Sequence, residues 1–526
     1  MRVPQTHRES IYERFGGEDC PSRESILPFR VINMLCEGEM ALYNTHLMTH
    51  RNLSEFIEVL RKAGELREIT VEVDPVLEIT EIYDRVVKSE GPALLFKNVL
   101  GSKMPLLINT FGSIARMNLL LGTQHIEEVA DRIHSFLDMK APSTIIDKVK
   151  MIPKLGELSA LGPKTVSQGA CQEIVIDKGP MLDLLPVIQC WPKDGGKFIT
   201  FPMVITRDPE SGRRNVGLYR MHVYDNQTTG MHWQIHKDGA EHYRRLKDGQ
   251  KLDVAVVLGC DPTLLFTAAC PLPFGVDEFM LAGFLRKRAV ELVKCKSIDL
   301  EVPADAEMIL EGYVVKGEMK LEGPFGDHTG FYSRAKDFPV FHVKTMTMRR
   351  NPTYLTTVVG RPPQEDCYMG KAIERIFLPI LKKTLPEIVD MNLPWEGVFH
   401  NCLIVSIRKS FPGHAQKVMS AIWGLGMMSL TKSIFVFDAD CNVQDLKEVA
   451  WRAFGNVDPK RDMTFAEGPV DELDHSASKD FIGSKVGIDC TRKTPEEGMQ
   501  REWPEDMTMD KSIKDLVSRR WKEYGI

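Results

Sequence analysis

Hydrophobic residues follow helical and strand periods in alternation over residues 48–165. The stretch NLSEFIEVLRKAGEL repeats its apolar residues at helical spacing, with Ser54 available as an N-cap. REITVEV alternates as a strand, PVLEITEIYDRVVKSEG has a helical pattern with Gly91 as a stop, and ALLFKNV and PLLINTF are typical of buried strands. These patterns predict an N-terminal α/β domain.

Residues 1–47 resemble nothing downstream. They carry acids and arginines where a signal peptide would need a charged region followed by an apolar one, so secretion is not expected. We predict that this segment is a disordered tail or a start-site extension before Met48.

Short β-rich runs broken by proline and glycine fill residues 166–350. Examples are FITFPMVITRD, NVGLYRMHVYD, MHWQIH, DVAVVLG, MILEGYVV and FPVFHVKTMTMRR, and EFMLAGFLRKRAVELV interrupts them with a helical pattern. Short strands separated by frequent turn signals predict a barrel.

The α/β pattern returns over residues 351–490. HNCLIVSIRKS and KSIFVFDAD indicate hydrophobic strands, and HAQKVMSAIWGL and DLKEVAWRAF indicate helices, which together predict a parallel or mixed sheet. Residues 491–526 end in the amphipathic stretch MDKSIKDLVSRRWKEYG, which we predict to be a helical arm for packing or dimerisation. The fold class is therefore a multi-domain α/β protein.

Composition narrows the class of protein. A chain of 526 residues exceeds what one core normally supports, and 43% hydrophobic with 27% charged residues is ordinary for a globular protein. The net charge of −6 and the scattered basic residues argue against nucleic-acid binding. No apolar run approaches the ~18 residues of a membrane span, so a membrane-spanning helix is not expected. A peripheral contact with a membrane surface is compatible with the same sequence. Eleven dispersed cysteines without a C-x-x-C pair favour reduced thiols and a cytoplasmic location.

The segment MHWQIH is a first candidate for ligand or metal binding. Read as a strand, it places His232, Gln234 and His236 on one face and apolar residues on the other. A solvated strand face explains the same pattern.

Asn215 and Arg220 lie on the neighbouring run NVGLYR. Strict alternation puts them on opposite faces, so a joint role needs a bulge, which Gly217 would permit. An arginine suits a substrate carboxylate because it binds in a bidentate manner, and a surface salt bridge is the alternative.

The stretch LEGPFGDHTGFYS places two acids, Glu322 and Asp327, around glycines and a proline. These residues exclude a stable helix, so the acids should lie on a loop or tight turn. An acid beside Phe325 and Phe331 would be partly desolvated, and its pKa would rise towards use as a proton donor. A turn with solvated acids is the alternative. Serine-hydrolase and zincin signatures are absent from the sequence.

Eight segments in order carry a resemblance to a known family: DPVLEITEI, GPALLF, NVGLYR, MHWQIHKDGA, LEGPFGDHTGFY, GRPPQED, LPEIVD and GHAQKVM. From about Met48 onwards the chain resembles the UbiD family of decarboxylases. The resemblance implies a split β-barrel flavin-binding domain between two α/β domains, with a helical arm that aids assembly of a homo-oligomer, from dimer to hexamer. It also implies prenylated FMN, made by a flavin prenyltransferase, with Mn²⁺ or Mg²⁺ and in many members K⁺.

The resemblance also implies roles for individual residues. The expected metal ligands are Asn215, His236 and Glu278. The expected catalytic set is Arg220, Glu322 and Asp327. The expected cofactor contacts are Leu218, Tyr219, Arg220, His232, Trp233, Gln234, Lys237, Asp238 and Lys432.

The reaction implied is non-oxidative decarboxylation of a hydroxylated aromatic acid. An aspartate at position 327, as in the quinone-precursor branch of the family, favours 4-hydroxy-3-polyprenylbenzoate in ubiquinone biosynthesis as the substrate. Loss of CO₂ leaves an electron pair for which the prenylated flavin would be the sink. Arg220 would orient the substrate carboxylate, Glu322 would pair with Arg220, and Asp327 would donate the proton.

Three other functions fit the sequence. A reversible phenolic-acid decarboxylase or carboxylase in aromatic degradation would use the same residues. A non-catalytic flavin-binding scaffold would keep the fold without chemistry, against which the intact Arg220, Glu322 and Asp327 argue. An ordinary FMN oxidoreductase would turn over its flavin with a nicotinamide donor.

Overall fold

The computed structural model describes residues 50–137, 161–235, 237–272 and 276–526. Sheets and helices alternate along these ranges, which confirms the predicted multi-domain α/β class. The predicted tail and His236 lie outside the described residues, and the domain boundaries stay predictions.

The bounds of the regular elements are as follows. The helices are α1 Leu53–Lys62, α2 Glu78–Lys88, α3 Ile114–Leu121, α4 Glu127–Leu137, α5 Asp238–Arg244, α6 Pro262–Ala269, α7 Glu278–Arg286, α8 Glu365–Thr384, α9 His414–Trp423, α10 Leu446–Asn456, α11 Pro459–Asp462 and α12 Lys511–Arg520. The strands are β1 Leu66–Val73, β2 Ala93–Val99, β3 Leu106–Ile108, β4 Lys164–Val166, β5 Ile174–Ile176, β6 Phe198–Ile199, β7 Met203–Arg207, β8 Arg214–Leu218, β9 Met221–His222, β10 Thr228–Gly230, β11 Lys251–Leu258, β12 Glu291–Lys294, β13 Glu301–Pro303, β14 Met308–Glu322, β15 Phe325–Gly326, β16 Tyr332–Ser333, β17 Lys336–Met348, β18 Tyr354–Leu355, β19 Ile388–Asn392, β20 Cys402–Ile407, β21 Ser433–Asp438, β22 Met463–Pro469 and β23 Ile482–Asp489.

The N-terminal sheet has the strand order β1-β2-β3-β18, with β1 parallel to β2 and β3 parallel to β18. Helix α1 precedes it and buries Leu53, Phe56 and Leu60, as the helical spacing predicts. Its cap differs from the prediction, because the side chain of Asn52, and not that of Ser54, accepts the hydrogen bond that caps the helix.

The central sheet positions the site. Within the described residues it follows the path β10-β17-β14-β11-β7-β8, with β5 added beside β17. No pairing joins β8 to β10 there, so the sheet is open where a closed barrel would join them. The pairs along this path are antiparallel. Strand β11 and the first half of β14, residues 308–314, are largely buried.

Two local predictions in this region are wrong. The segment MHWQIH is not a strand, because β10 ends at Gly230 and residues 231–234 have no regular structure, although Met231 and Trp233 are still buried. The helical pattern of EFMLAGFLRKRAVELV continues only to Arg286. Lys287 then adopts a left-handed conformation that ends the helix, and the chain forms strand β12 against β4 and β13.

A bulge in the long β14–β17 pair requires Gly312. The register shifts between Glu311 and Gly312, and a Cβ on Gly312 would lie 1.9 Å from the carbonyl oxygen of His342. We expect Gly312→Ala to lower the free energy of unfolding by about 2 kcal/mol or more, because the strand partner is backbone that cannot move aside. Chemical denaturation monitored by circular dichroism measures this change.

The matched control is Gly455→Ala in α10. A Cβ on Gly455 meets no heavy atom within 4 Å. Alanine there should stabilise the helix by roughly 0.5–1 kcal/mol. Equal effects of the two substitutions would contradict the argument from backbone contact.

The C-terminal sheet has the order β19-β20-β21-β23-β22. Strands β20, β21 and β23 are parallel, and β19 and β22 add antiparallel edges, as expected for a mixed sheet. Helix α12 follows, and none of its residues is buried. Among the described residues no helix has the length and apolar character needed to cross a membrane.

Candidate active site

Two acids lie at the end of the long β14–β17 pair. Glu322 is the last residue of β14, and Asp327 follows β15, which forms a small antiparallel pair with β16. The segment is not a helix, as its glycines and proline predict. Gly326 is required here because a Cβ would lie 2.2 Å from the Trp191 ring. The two acids are therefore held close together on a tightly packed turn.

Arg220 joins both acids. Its Nε donates to Glu322 Oε1 at 2.9 Å, its Nη1 donates to Asp327 Oδ2, and its Nη2 donates to Ser333 Oγ at 3.3 Å. Its guanidinium carbon lies 4.6 Å from the centre of the Phe325 ring. Arg220 lies in the break between β8 and β9, which removes the strict alternation that would have turned it away from the site.

The predicted rise of an acid's pKa near Phe325 and Phe331 is wrong for both acids. Burial does favour the neutral carboxyl, but the Arg220 guanidinium outweighs it and holds the pKa of Glu322 below its ordinary value. Arg220 and His328 likewise hold the pKa of Asp327 far below its ordinary value. Both acids are thus carboxylates at neutral pH, around a single guanidinium.

His232 contacts Glu322 on the side of the carboxylate group next to Arg220. Its Nδ1 lies 3.0 Å from Glu322 Oε1, and its ring packs on Phe338 at 4.2 Å. Gln234 points elsewhere and donates to Asp471 Oδ2 at 3.1 Å. The two residues were predicted to share one face, and both do line the same cavity, although without a strand between them.

Sequence reasoning missed a second layer of polar residues behind Asp327. The Nδ1 of His328 lies 3.0 Å from Asp327 Oδ1, and this contact raises the pKa of His328 despite its burial. Asp366 is a further buried acid whose charge interacts with His328, and burial raises the pKa of Asp366 to about 6. His328 directly follows the second acid, which is a signal that sequence reasoning could have used, whereas His400 and Asp471 belong to a distant part of the chain with no local pattern.

The site opens into a cavity of about 400 Å³. Residues from the central sheet and from the C-terminal region line it, among them Leu218, Tyr219, Arg220, His232, Gln234, Lys237, Asp327, His328, Phe399, His400, Met427 and Asp471. Lys432 does not line the cavity; its Nζ contacts Asp474 and Ser476. The cavity therefore gathers most of the predicted cofactor contacts around the Arg220 group.

Two of the three predicted metal ligands, Asn215 and Glu278, lie on elements that pack together. Glu278 is the first residue of α7, which packs on the strand β8 that carries Asn215, and its Oε2 is buried without a hydrogen-bond partner. Burial raises the pKa of Glu278 to about 7, and Asp277 and Asp238 add to the rise.

A buried carboxylate oxygen without a hydrogen-bond partner fits a hard divalent cation, and the amide of Asn215 could add a second oxygen ligand. The described residues contain no cluster of three or more His, Cys, Asp or Glu suited to a metal. Asn215 is not one of those residue types, and His236 lies outside the described part of the chain.

The same region offers a cation and close packing for a phosphate-bearing cofactor. Desolvation lowers the pKa of Lys237, whose nearest charges include Asp471 and Asp238. Gly239 permits close packing, because a Cβ there would lie 2.7 Å from Trp233 Nε1. That indole nitrogen is itself buried without a partner, so polar groups remain for a ligand to satisfy. The residues present therefore fit a flavin phosphate with a divalent cation.

Sequence profiles of three domains match the chain in order. They are the 3-octaprenyl-4-hydroxybenzoate carboxy-lyase (UbiD) N-terminal domain at residues 57–133, the Rift-related domain at 164–362 and the C-terminal domain at 367–490. A protein of Archaeoglobus fulgidus, described as uncharacterized, is 50% identical over 479 residues, which is 90% of this chain and 99% of that protein.

Two solved structures are similar over most of the chain. Vanillic acid decarboxylase of Sedimentibacter hydroxybenzoicus, in its closed form, is 26% identical with a TM-score of 0.79, covering 91% of this chain and 99% of that one. The UbiD-class enzyme HmfF of Pelotomaculum thermopropionicum, solved in complex with FMN, is 27% identical with a TM-score of 0.72, covering 86% and 97%. An evolved dimeric form of HmfF was solved with prFMN.

Proposed function

Because this chain belongs to the UbiD family of carboxy-lyases, we propose that it removes CO₂ from a hydroxylated aromatic acid, with prenylated FMN and a divalent metal as cofactors. The observation that carries the proposal is Arg220 held between Glu322 and Asp327 at the wall of one cavity. Similarity to vanillic acid decarboxylase supports the aromatic substrate, and the FMN and prFMN complexes of HmfF support the cofactor.

Arg220 is the group that binds the substrate carboxylate. Its planar guanidinium matches a carboxylate, and Glu322 and Phe325 fix its orientation. Alignment of the scissile bond by such a contact removes part of the entropic cost of the reaction. Prenylated FMN, when bound, supplies the electron sink for the pair that CO₂ leaves behind.

Asp327 is the proposed proton donor, although it is a carboxylate in this structure. Arg220 here balances two anions, Glu322 and Asp327. A substrate carboxylate would be a third anion at the same guanidinium, and an added negative charge raises the pKa of the acids already there. Substrate binding would thus bring a proton onto Asp327, and His328 at 3.0 Å is placed to supply it. The proton then replaces CO₂ on the substrate carbon.

The metal would be held by Asn215 and Glu278, with His236 as the third predicted ligand. Mn²⁺ or Mg²⁺ fits these oxygen donors, and K⁺ is a further candidate. The cation would balance the buried Glu278 carboxylate, whose pKa burial raises to about 7.

The first candidate substrate is 4-hydroxy-3-polyprenylbenzoate in quinone biosynthesis, which the description of the family supports. A smaller phenolic acid in aromatic degradation, in either reaction direction, is the second candidate, which the similarity to vanillic acid decarboxylase supports. A flavin prenyltransferase would supply the cofactor. The exposed side chains of α12 are available for assembly with further copies of this chain.

The proposal is tested on protein co-expressed with a flavin prenyltransferase. We expect mass spectrometry of the released small molecules to detect prenylated FMN, and metal analysis to detect manganese at a similar occupancy. We expect the same protein to release CO₂ from hydroxybenzoates, and comparison of acids with and without a prenyl tail decides between the two candidates. Unmodified FMN with no CO₂ release from any of these acids would contradict the proposal.

A further inference from the structure

Two histidine side chains in the cavity lack a partner for one ring nitrogen each. The Nε2 atoms of His328 and His400 are both buried without a hydrogen bond, and the centres of the two rings lie 5.1 Å apart. Both residues line the cavity that also contains Asp327 and Arg220. Buried polar atoms are rarely left unpaired because each costs about 1–3 kcal/mol, so each Nε2 is expected to meet a polar group from a ligand or from water in the cavity.

The two rings differ in protonation. Contact of His328 Nδ1 with Asp327 Oδ1 raises the pKa of His328 and so favours the imidazolium, in which both ring nitrogens carry protons and Nε2 is a donor. Burial and the charge of His328 lower the pKa of His400 to about 4, so His400 is neutral at physiological pH.

A neutral imidazole carries one proton, and with that proton on Nδ1 it presents Nε2 as an acceptor. The Nε2 of His400 is buried without a partner, so it is available to accept from a ligand in the cavity. The nearest carboxylate oxygen, on Asp471, lies 3.9 Å away, which is beyond hydrogen-bonding distance.

We propose that His328 and His400 together recognise a ring hydroxyl of the substrate, with His328 Nε2–H donating to the hydroxyl oxygen and His400 Nε2 accepting its proton. A hydroxyl is the simplest group that accepts one hydrogen bond and donates one. The assignment rests on the proposed function, since it places the phenolic ring of an aromatic acid in this cavity. It names the two residues that would select a hydroxylated ring.

The pair predicts discrimination between a hydroxyl and a methyl ether. A methoxy oxygen still accepts from His328, but it has no proton for His400, whose Nε2 would stay buried and unpaired. Sites built to hydrogen-bond a substrate hydroxyl reject the analogue without it far more strongly than apolar pockets reject a missing methylene. We therefore expect a preference of at least about 100-fold for the hydroxylated acid at the ring position that reaches the pair.

The experiment compares 3- and 4-hydroxybenzoate, each with its methoxy counterpart, on holoenzyme carrying its cofactors. It measures kcat/KM for CO₂ release and, in parallel, equilibrium binding of all four acids by calorimetry. The variant His400→Phe keeps an aromatic ring against His328 but removes the acceptor, and His400→Gln restores an acceptor oxygen. The control is His342→Phe, because His342 stacks on Tyr313 and contacts Glu318 away from this cavity.

We expect one hydroxy/methoxy pair to show the preference in the unaltered enzyme, His400→Phe to abolish it, His400→Gln to restore part of it, and His342→Phe to keep it. Equal binding and turnover of both members of each pair, or an unchanged preference in His400→Phe, would overturn the assignment even if CO₂ is released. Selective binding of a hydroxylated acid that His400→Phe removes, without any CO₂ release, would support the assignment and contradict the proposed function. The two failures are therefore distinguishable.

Discussion

Replacement of Arg220 by methionine is expected to lower kcat/KM for CO₂ release by about 10³-fold or more, and this is the largest effect that the site predicts. Methionine removes the group that binds the substrate carboxylate. It also leaves Glu322 and Asp327 as two buried carboxylates without their shared cation. Removal of one partner from such a buried ion group costs about 3–5 kcal/mol of stability. Kinetics and thermal unfolding of the same preparations measure both effects.

A second variant separates chemistry from folding. Arg220→Lys keeps a positive charge beside both acids but cannot form the guanidinium contacts to Glu322, Asp327 and Ser333 at once. We expect it to fold with a smaller loss of stability and to stay well below normal activity. The control is Arg207→Met, because Arg207 makes an exposed pair with Asp299 at 3.4 Å. Full activity of Arg220→Lys would show that the planar contacts are not needed.

Asp327→Asn is expected to lower kcat by about 10²–10⁴-fold, the range that a single general acid contributes. Asparagine retains the shape of the side chain but carries no transferable proton, so cofactor and metal content should stay normal. Turnover and released cofactor are measured on the same preparation, with Asp299→Asn as the control. Undiminished decarboxylation would exclude Asp327 as the proton donor.

The same substitution has a defined effect on acid stability. Arg220 holds the folded-state pKa of Asp327 below its ordinary value of about 4. A depressed folded pKa gives stability that is fully present above the unfolded pKa and is lost as the pH falls below it. We expect the difference in free energy of unfolding between the unaltered protein and Asp327→Asn to shrink below about pH 4.

Strands and helices were largely predictable because apolar spacing reports which side of an element is buried. The run ALLFKNV became β2 with the same bounds, Ala93–Val99. The same signal failed for MHWQIH, because alternating burial of Met231 and Trp233 occurs there without strand hydrogen bonds. Periodicity reports burial and does not report backbone pairing.

That Arg220, Glu322 and Asp327 meet in space was predictable from the sequence, whereas the direction of the acids' pKa shifts was not. Ordered motifs pointed to Arg220, Glu322 and Asp327, whereas their contacts depend on the break between β8 and β9, which strict alternation does not anticipate. The pKa prediction considered the aromatic neighbours of the acids and omitted the guanidinium 102 residues away from Glu322 in sequence. His400 and Asp471 were missed because their position beside Asp327 is a property of the tertiary fold.

The long β14–β17 pair also bears on the order in which the site is assembled during folding. Glu322 ends β14 opposite Lys336 of β17, and Asp327 lies on the connection between the two strands, so local pairing brings the two acids near each other. Arg220 reaches them only after a segment of 102 residues has closed. Closure of long segments costs more chain entropy and follows local pairing in time. The two acids therefore meet before their cation reaches them, and attraction between Arg220 and both carboxylates favours the last step of site formation at neutral pH.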